Sequence, residues 1–300
     1  MEYNSYAEYS LSRETVARKR ERVKRGMAVL ERLEREHNGC FRILCPFAAL
    51  GDVYLMMSYL PHFMKKRKIG RYVIGVIGHS CAEVIRLFGS YEVEIFRQEE
   101  MDETIQAALY TKDPAVFIPH QDRPYVVNLS RALYVKRISL EQIYCCGVFG
   151  LPEDTRPFKP GKGEEWEGIE SIRPGRAVIL SPYAKSVTAL PQNVWERIVE
   201  ICIGKGLQCL TNVVGNERPL PHTMPVSPPV SGCVSAVERA GTFIGLRSGL
   251  CDVIREANCR KIALYPDYHY CDTRWKAIEM YRLAGWENIV VGEGFQWKTD

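Results

Sequence analysis

The chain lacks several features, each of which would by itself have decided its class. No apolar run approaches the roughly 20 residues that a membrane-spanning helix requires. Residues 1–10 are polar and tyrosine-rich, with no apolar signal segment behind them. These absences predict a cytoplasmic protein. The 11 cysteines contain no Cys-x-x-Cys pair and no spacing with histidine of the zinc-site kind, so reduced thiols are expected. Cys40, Cys45, Cys202, Cys209, Cys251 and Cys259 sit in apolar stretches, and the adjacent Cys145 and Cys146 read as plain burial in a helical segment over 140–148. A net charge of only +4 gives no reason to expect nucleic acid. No Gly-x-Gly-x-x-Gly follows an apolar run, which disfavours a dinucleotide oxidoreductase. No Asp-x-Asp is present to hold a metal ion.

What is there is the balance of a globular chain: 46% hydrophobic and 25% charged residues over 300 positions, enough for two domains with their own cores. Residues 12–36 read as one charged helix. Val16, Val23, Met27, Leu30 and Leu33 fall on one stripe, and Arg18, Lys19, Arg20, Arg22, Lys24 and Arg25 crowd the first half. That pattern predicts a helix docked by its stripe with a solvated basic face. A second expectation is peripheral contact of that face with anionic lipid.

From residue 41 strands and helices alternate: strands at 41–46, 71–78, 93–96 and 115–118, with helices at 51–68, 79–88 and 102–110. Residues 151–174 are rich in proline and glycine, and beyond them the alternation restarts. Strands are expected at 177–182, 207–214, 242–246, 261–266 and 288–291, and helices at 192–204, 233–240, 249–258 and 273–284, with a proline-rich loop at 219–229. The β-α-β order predicts parallel sheets covered by helices. The expected organisation is a charged helix (1–38), a Rossmann-like domain (39–150), a linker (151–174) and a second Rossmann-like domain (175–300). The fold class is therefore α/β, two Rossmann-like parallel-sheet domains facing a cleft. Ligands of such sheets bind off the carboxyl ends of the strands.

Four strand ends carry unusual residues. Gly51-Asp52-Val53 follows the first strand; glycine permits close backbone approach, and Asp52 either caps the next helix or meets a ligand. Lys185 lies in the small-residue loop after the strand at 177–182, where it is either a phosphate ligand or a surface cation. Gly215-Asn216-Glu217 ends the next strand as a tight turn or as a site for sugar hydroxyls. Arg247-Ser248-Gly249-Leu250 opens a helix after an apolar strand. Its free N–H groups suit a diphosphate, with Arg247 adding a full charge; the plainer reading is an ordinary strand-to-helix turn.

In this order the four motifs resemble the GT-B glycosyltransferases, specifically the ADP-heptose:lipopolysaccharide heptosyltransferase family, over roughly residues 40–270. The family's Gly-Asp-Val after the first strand is matched by Gly51-Asp52-Val53, its Gly and Glu by Gly215 and Glu217, and its Asp-Ser-Gly by Arg247-Ser248-Gly249. The chain departs from the family in having Arg247 for the aspartate, Leu190 for a tryptophan before proline, and Lys185 displaced in its loop. The donor's base and sugar are left open.

The resemblance implies inverting transfer of a sugar from a nucleoside diphosphate to a hydroxyl of a glycan or lipid-linked acceptor. The basic helix points to the inner face of the membrane, and neither a metal nor a cofactor is expected. Asp52 would be the base. Gly51, Lys185, Arg247, Ser248, Gly249 and Leu250 would meet the donor, and Glu217 its ribose. His79 and His120 are reserve bases. The alternatives are a sugar-nucleotide epimerase or hydrolase of the same fold, or a non-catalytic nucleotide- or glycan-binding subunit.

Overall fold

The structure of the chain, a computed structural model, describes residues 13–122, 129–161, 163–185, 187–267, 276–292 and 295. Two compact units result: residues 1–48, 64–82 and 91–120 form the first, and residues 49–63, 83–90 and 121–300 the second.

The first unit holds β1 (Phe41–Leu44), β2 (Tyr72–Ile77), β3 (Glu92–Phe96) and β4 (Val116–Phe117), ordered β3-β2-β1-β4 and parallel throughout. β1 and β2 are almost continuously apolar because a parallel strand covered by helices is buried on both faces. β3, at the edge, carries Glu92 and Glu94, and charge on an edge strand discourages pairing with another chain. His37 bridges those two carboxylates at 3.1 and 2.9 Å.

Helix α1 (Arg13–Glu36) packs on α4 (Gln98–Thr111). The expected stripe is docked, with one change of membership: Met27 is exposed, while Gly26 and Leu30 are buried. Leu33 joins Leu44, Ile77, Phe96, Met101 and Ile118 in the core. Part of the basic face is spent on ion pairs, with Arg25 on Glu103 and Arg32 on Glu94 at 3.3 Å. Gly26 marks the crossing, since a Cβ there would overlap the Glu103 carbonyl and the Ala107 methyl. Gly26→Ala adds up to about 1 kcal/mol of helix propensity. The obstacle is backbone, so the helices must part, which costs about 1–3 kcal/mol. The melting temperature of Gly26→Ala, followed by circular dichroism, is therefore expected to fall. A rise would show that the crossing yields freely.

The second unit holds β5 (Ala177–Ser181), β6 (Gln208–Asn212), β7 (Met224–Val226), β8 (Gly241–Leu246), β9 (Arg260–Pro266) and β10 (Glu287–Val291), ordered β10-β9-β8-β5-β6-β7, again all parallel. β5 is buried at every position. Helix α7 (Gln192–Gly204) buries Trp195, Ile198, Val199 and Cys202, one face at helical spacing. It is followed by α8 (Cys233–Ala240), the short α9 (Gly249–Val253) and α10 (Ala277–Tyr281). The helix expected over 249–258 ends early, and of that expected over 273–284 residues 273–275 lie outside the described residues.

The proline-rich loop at 219–229 contains a strand that the sequence reading lacked. β7 is the outermost strand, a place that tolerates Pro225 despite its missing N–H. The segment read as a linker, 151–174, is tied down by backbone bonds from Phe158 to Ser58 (2.7 Å), Gly161 to Leu87 (2.8 Å) and Glu164 to Ser231 (3.0 Å). Ile172 within it is fully buried.

This unit also includes residues 50–63 of α2 (Leu50–Arg67), residues 83–87 of α3 (His79–Leu87), α5 (Leu129–Val135) and α6 (Leu140–Gln142). The segment expected as a plain helix over 140–148 leaves α6 as a π-turn over Ile143–Val148. Cys145 is buried there with its thiol on the Pro152 carbonyl, and burial pushes that thiol up to about 12; Cys146 is exposed. Among the described residues no helix is long and apolar enough to cross a membrane.

Candidate active site

Asp52 lies in the first turn of α2 and is partly exposed. Its Oδ1 accepts two hydrogen bonds, from the Tyr144 hydroxyl at 2.8 Å and from Gln121 Nε2 at 2.5 Å. Gln121 is fixed in turn by the Tyr134 hydroxyl, which donates to its Oε1 at 2.5 Å. Among the described residues Oδ2 has no such partner. Both donors are side chains from distant segments, so Asp52 is not acting as the cap of its own helix.

Tyr144 is fully buried and belongs to the π-turn, where the Phe149 N–H reaches the Tyr144 carbonyl five residues back at 3.1 Å. Such wide turns recur at functional sites. Burial pushes the Asp52 carboxyl above the usual carboxylate range, and the charge of Asp252 adds to this. The bonds from Tyr144 and Gln121 and the Arg247 charge pull the other way without prevailing.

The start of α2 abuts the start of α9. A Cβ at Gly51 would lie 2.5 Å from Asp252 Oδ2, and a Cβ at Gly249 would lie 2.6 Å from the Gly51 nitrogen. Gly249 is therefore required by the Gly51 backbone, and Gly51 by the Asp252 carboxylate.

Arg247, read as a diphosphate ligand, is engaged largely by the protein itself. Arg247 is 5% exposed and forms a fork-to-fork pair with the buried Asp252, Nη1 to Oδ2 and Nη2 to Oδ1, both at 2.9 Å. Its Nε donates to the Tyr281 carbonyl at 2.8 Å, and Nη1 also donates to the Ser248 carbonyl. The ring of Tyr281 lies 5.4 Å from the guanidinium carbon. Four bonds leave one of five N–H groups for any ligand. The Arg247 charge at this helix start is balanced by an aspartate five residues on.

Ser248, Gly249 and Leu250 remain as expected at the carboxyl end of β8. Their backbone N–H groups have no partner among the described residues. α9 is only five residues long, so these amides act as individual donors and not through a helix dipole. Lys185 is exposed on the loop after β5, without an ion pair among the described residues. β5 and β8 are neighbours, and their connections run to opposite sides of the sheet, so their carboxyl ends flank its switch point. Glu217 closes its own turn: its Oε2 accepts from the Val214 N–H at 2.8 Å, and Gly215 has φ +61°. Of the reserve bases, His79 is exposed at the start of α3, and His120 lies 5.1 Å from the Phe47 ring. Gln121, Tyr134, Tyr144 and Asp252 are the members of these networks that the sequence reading did not single out.

No family model and no curated protein matches the chain by sequence. Solved structures do resemble it. The E. coli ADP-heptose LPS heptosyltransferase II aligns with a TM-score of 0.57 at 12% identity, over 83% of this chain and 89% of that one. A glycosyl transferase family 9 protein from Veillonella parvula aligns at 0.52 and 14%, over 84% and 85%. An iron-containing dodecameric glycosyltransferase from enterotoxigenic E. coli aligns at 0.51 and 12%, over 74% of this chain but 57% of that one. The chain has the heptosyltransferase-like GT-B fold, with two parallel sheets of the Rossmann kind.

Proposed function

We propose that the chain is an inverting glycosyltransferase that moves a sugar from a nucleoside-diphosphate sugar to a hydroxyl of a glycan or lipid-linked acceptor. The observation that carries this reading is the Asp52 carboxylate, held on one oxygen, open on the other and partly exposed, in a chain with this fold. Asp52 takes the acceptor proton as general base. The diphosphate that departs is met by the amides of Ser248, Gly249 and Leu250 and by Lys185, positive groups placed where negative charge develops. In this reading the step uses no metal ion. Glu217 keeps one carboxylate oxygen for a ribose hydroxyl. The enzyme works at the cytoplasmic face of the membrane, where the exposed Lys19, Arg20 and Lys24 of α1 meet anionic lipid.

A melting-temperature screen against nucleoside diphosphates and sugar nucleotides tests the reading. A ligand at 100 times its Kd stabilises the fold by about 2.7 kcal/mol, so one nucleotide of the panel is expected to raise the transition clearly. A panel that moves nothing removes the donor site. Lys185→Ala sharpens the result. The side chain is exposed, so the unliganded melting temperature should stay where it is. Loss of a charge-assisted bond of about 1.5–3 kcal/mol should weaken nucleotide binding at least tenfold. Unchanged affinity would take Lys185 out of the donor site.

A further inference from the structure

We propose that Tyr144 and Gln121 are positioning residues that fasten Asp52 through Oδ1 alone and thereby present Oδ2 as the oxygen that takes the acceptor's proton. The inference rests on the transferase reading for the identity of the proton, while the fastening itself rests on geometry. Both donors converge on Oδ1, at 2.8 and 2.5 Å, from segments 92 and 69 residues away. Each is itself immobilised: Tyr144 by complete burial in the π-turn, and Gln121 by the Tyr134 hydroxyl. A carboxylate held this way cannot rotate without losing two bonds, so Oδ2 keeps one direction.

The reaction then balances simply. The acceptor O–H proton moves to Oδ2, the acceptor oxygen forms its bond to the anomeric carbon, and the bond from that carbon to the diphosphate breaks. The electron pair leaves on the diphosphate. Protonated Asp52 still accepts at Oδ1, so the fastening survives the step.

Two hydrogen bonds donated to a carboxylate favour its charged form. The other charged groups acting on Asp52 are Asp252 of α9, which opposes ionisation, and Arg247 before it, which favours ionisation. Tyr144→Phe and Gln121→Leu leave those two in place and remove one donor each. The proposal is tested by titrating the Asp52 carboxyl in the unliganded protein by ¹³C NMR, with Asp52→Asn to assign the signal, alongside the pH profile of kcat with the best sugar nucleotide. Either variant is expected to move the titration, and the acid limb of kcat, upward by about one pH unit, a roughly tenfold loss of turnover on that limb. KM for the nucleotide should stay within a few-fold. Tyr134→Phe should produce the same change to a smaller extent.

A titration that stays in place while the melting temperature falls would show Tyr144 to be packing alone and overturn the proposal. So would an equal loss of kcat at every pH with the titration unmoved. A titration that moves in a protein that turns over no sugar nucleotide would leave the fastening standing and remove the transferase reading beneath it.

Discussion

Asp52→Asn should reduce turnover by roughly 10²–10⁴-fold, the contribution of a positioned general base, while nucleotide affinity changes no more than a few-fold. The substitution is well matched to its surroundings. The asparagine Oδ1 accepts from the Tyr144 hydroxyl and Gln121 Nε2 as the carboxylate oxygen does, so the network of 2.8 and 2.5 Å contacts can persist. What is lost is the capacity of the second oxygen to take a proton. Stability should move the opposite way from activity. The folded-state pKa of Asp52 is raised by burial, so its contribution to stability is complete below the unfolded-state pKa and is lost as pH rises through the folded one. At neutral pH the charged form is the strained one, and the amide relieves it. Asp52→Asn should therefore melt no lower than the parent at pH 7, and the difference should shrink toward pH 4. Steady-state kinetics beside a melting series in pH measure both. Turnover within threefold of the parent would remove Asp52 as the base.

The largest stability effect belongs to Arg247. Arg247→Ala leaves Asp252, 2% exposed, without its bidentate partner. Arg255 approaches the same carboxylate at 3.5 Å but is also drawn to Glu141 at 3.2 Å, so it substitutes only in part. Breaking a buried pair by removing one member costs about 3–5 kcal/mol, because a desolvated charge is left uncompensated. The expected result is a sharp fall in the chemical-denaturation midpoint, with the loss of function following from the loss of fold. Arg247→Met with Asp252→Leu, which removes both charges and keeps the volume, should recover most of the stability. If Arg247→Ala unfolds at the parent's midpoint yet binds nucleotide poorly, the arginine serves a ligand after all.

The fold was readable wherever local pattern and final burial agree. Parallel strands such as β5 are apolar along their whole length because both faces are covered, and α7 announces its buried face at helical spacing. β7 escaped notice because its Pro225 reads as loop, and only its edge position makes it tolerable. The π-turn over Ile143–Val148 has no periodicity of its own to detect. Asp52 was legible because it opens the helix after the first strand and sits beside a glycine. Gln121 and Tyr144 were not, since nothing in a linear reading links residues 69 and 92 positions apart. The Arg247–Asp252 pair was not legible either, since a linear pattern shows a charge at a helix start and not its bidentate partner five residues on.

The discontinuity of the second unit also sets an order of events during synthesis. Residues 49–63 belong to the second compact unit although most of that unit lies beyond residue 121, so the partners of this stretch are made long after it. Val53, Leu55, Met56, Met57 and Leu60, all buried in the finished protein, emerge early and must wait uncovered for the later segments. Contacts that close such long loops form slowly and leave apolar surface exposed meanwhile. The nascent chain is therefore most vulnerable to aggregation in the window between the appearance of Asp52 and that of Gly249, and the helix bearing the candidate base is among the last to reach its final surroundings.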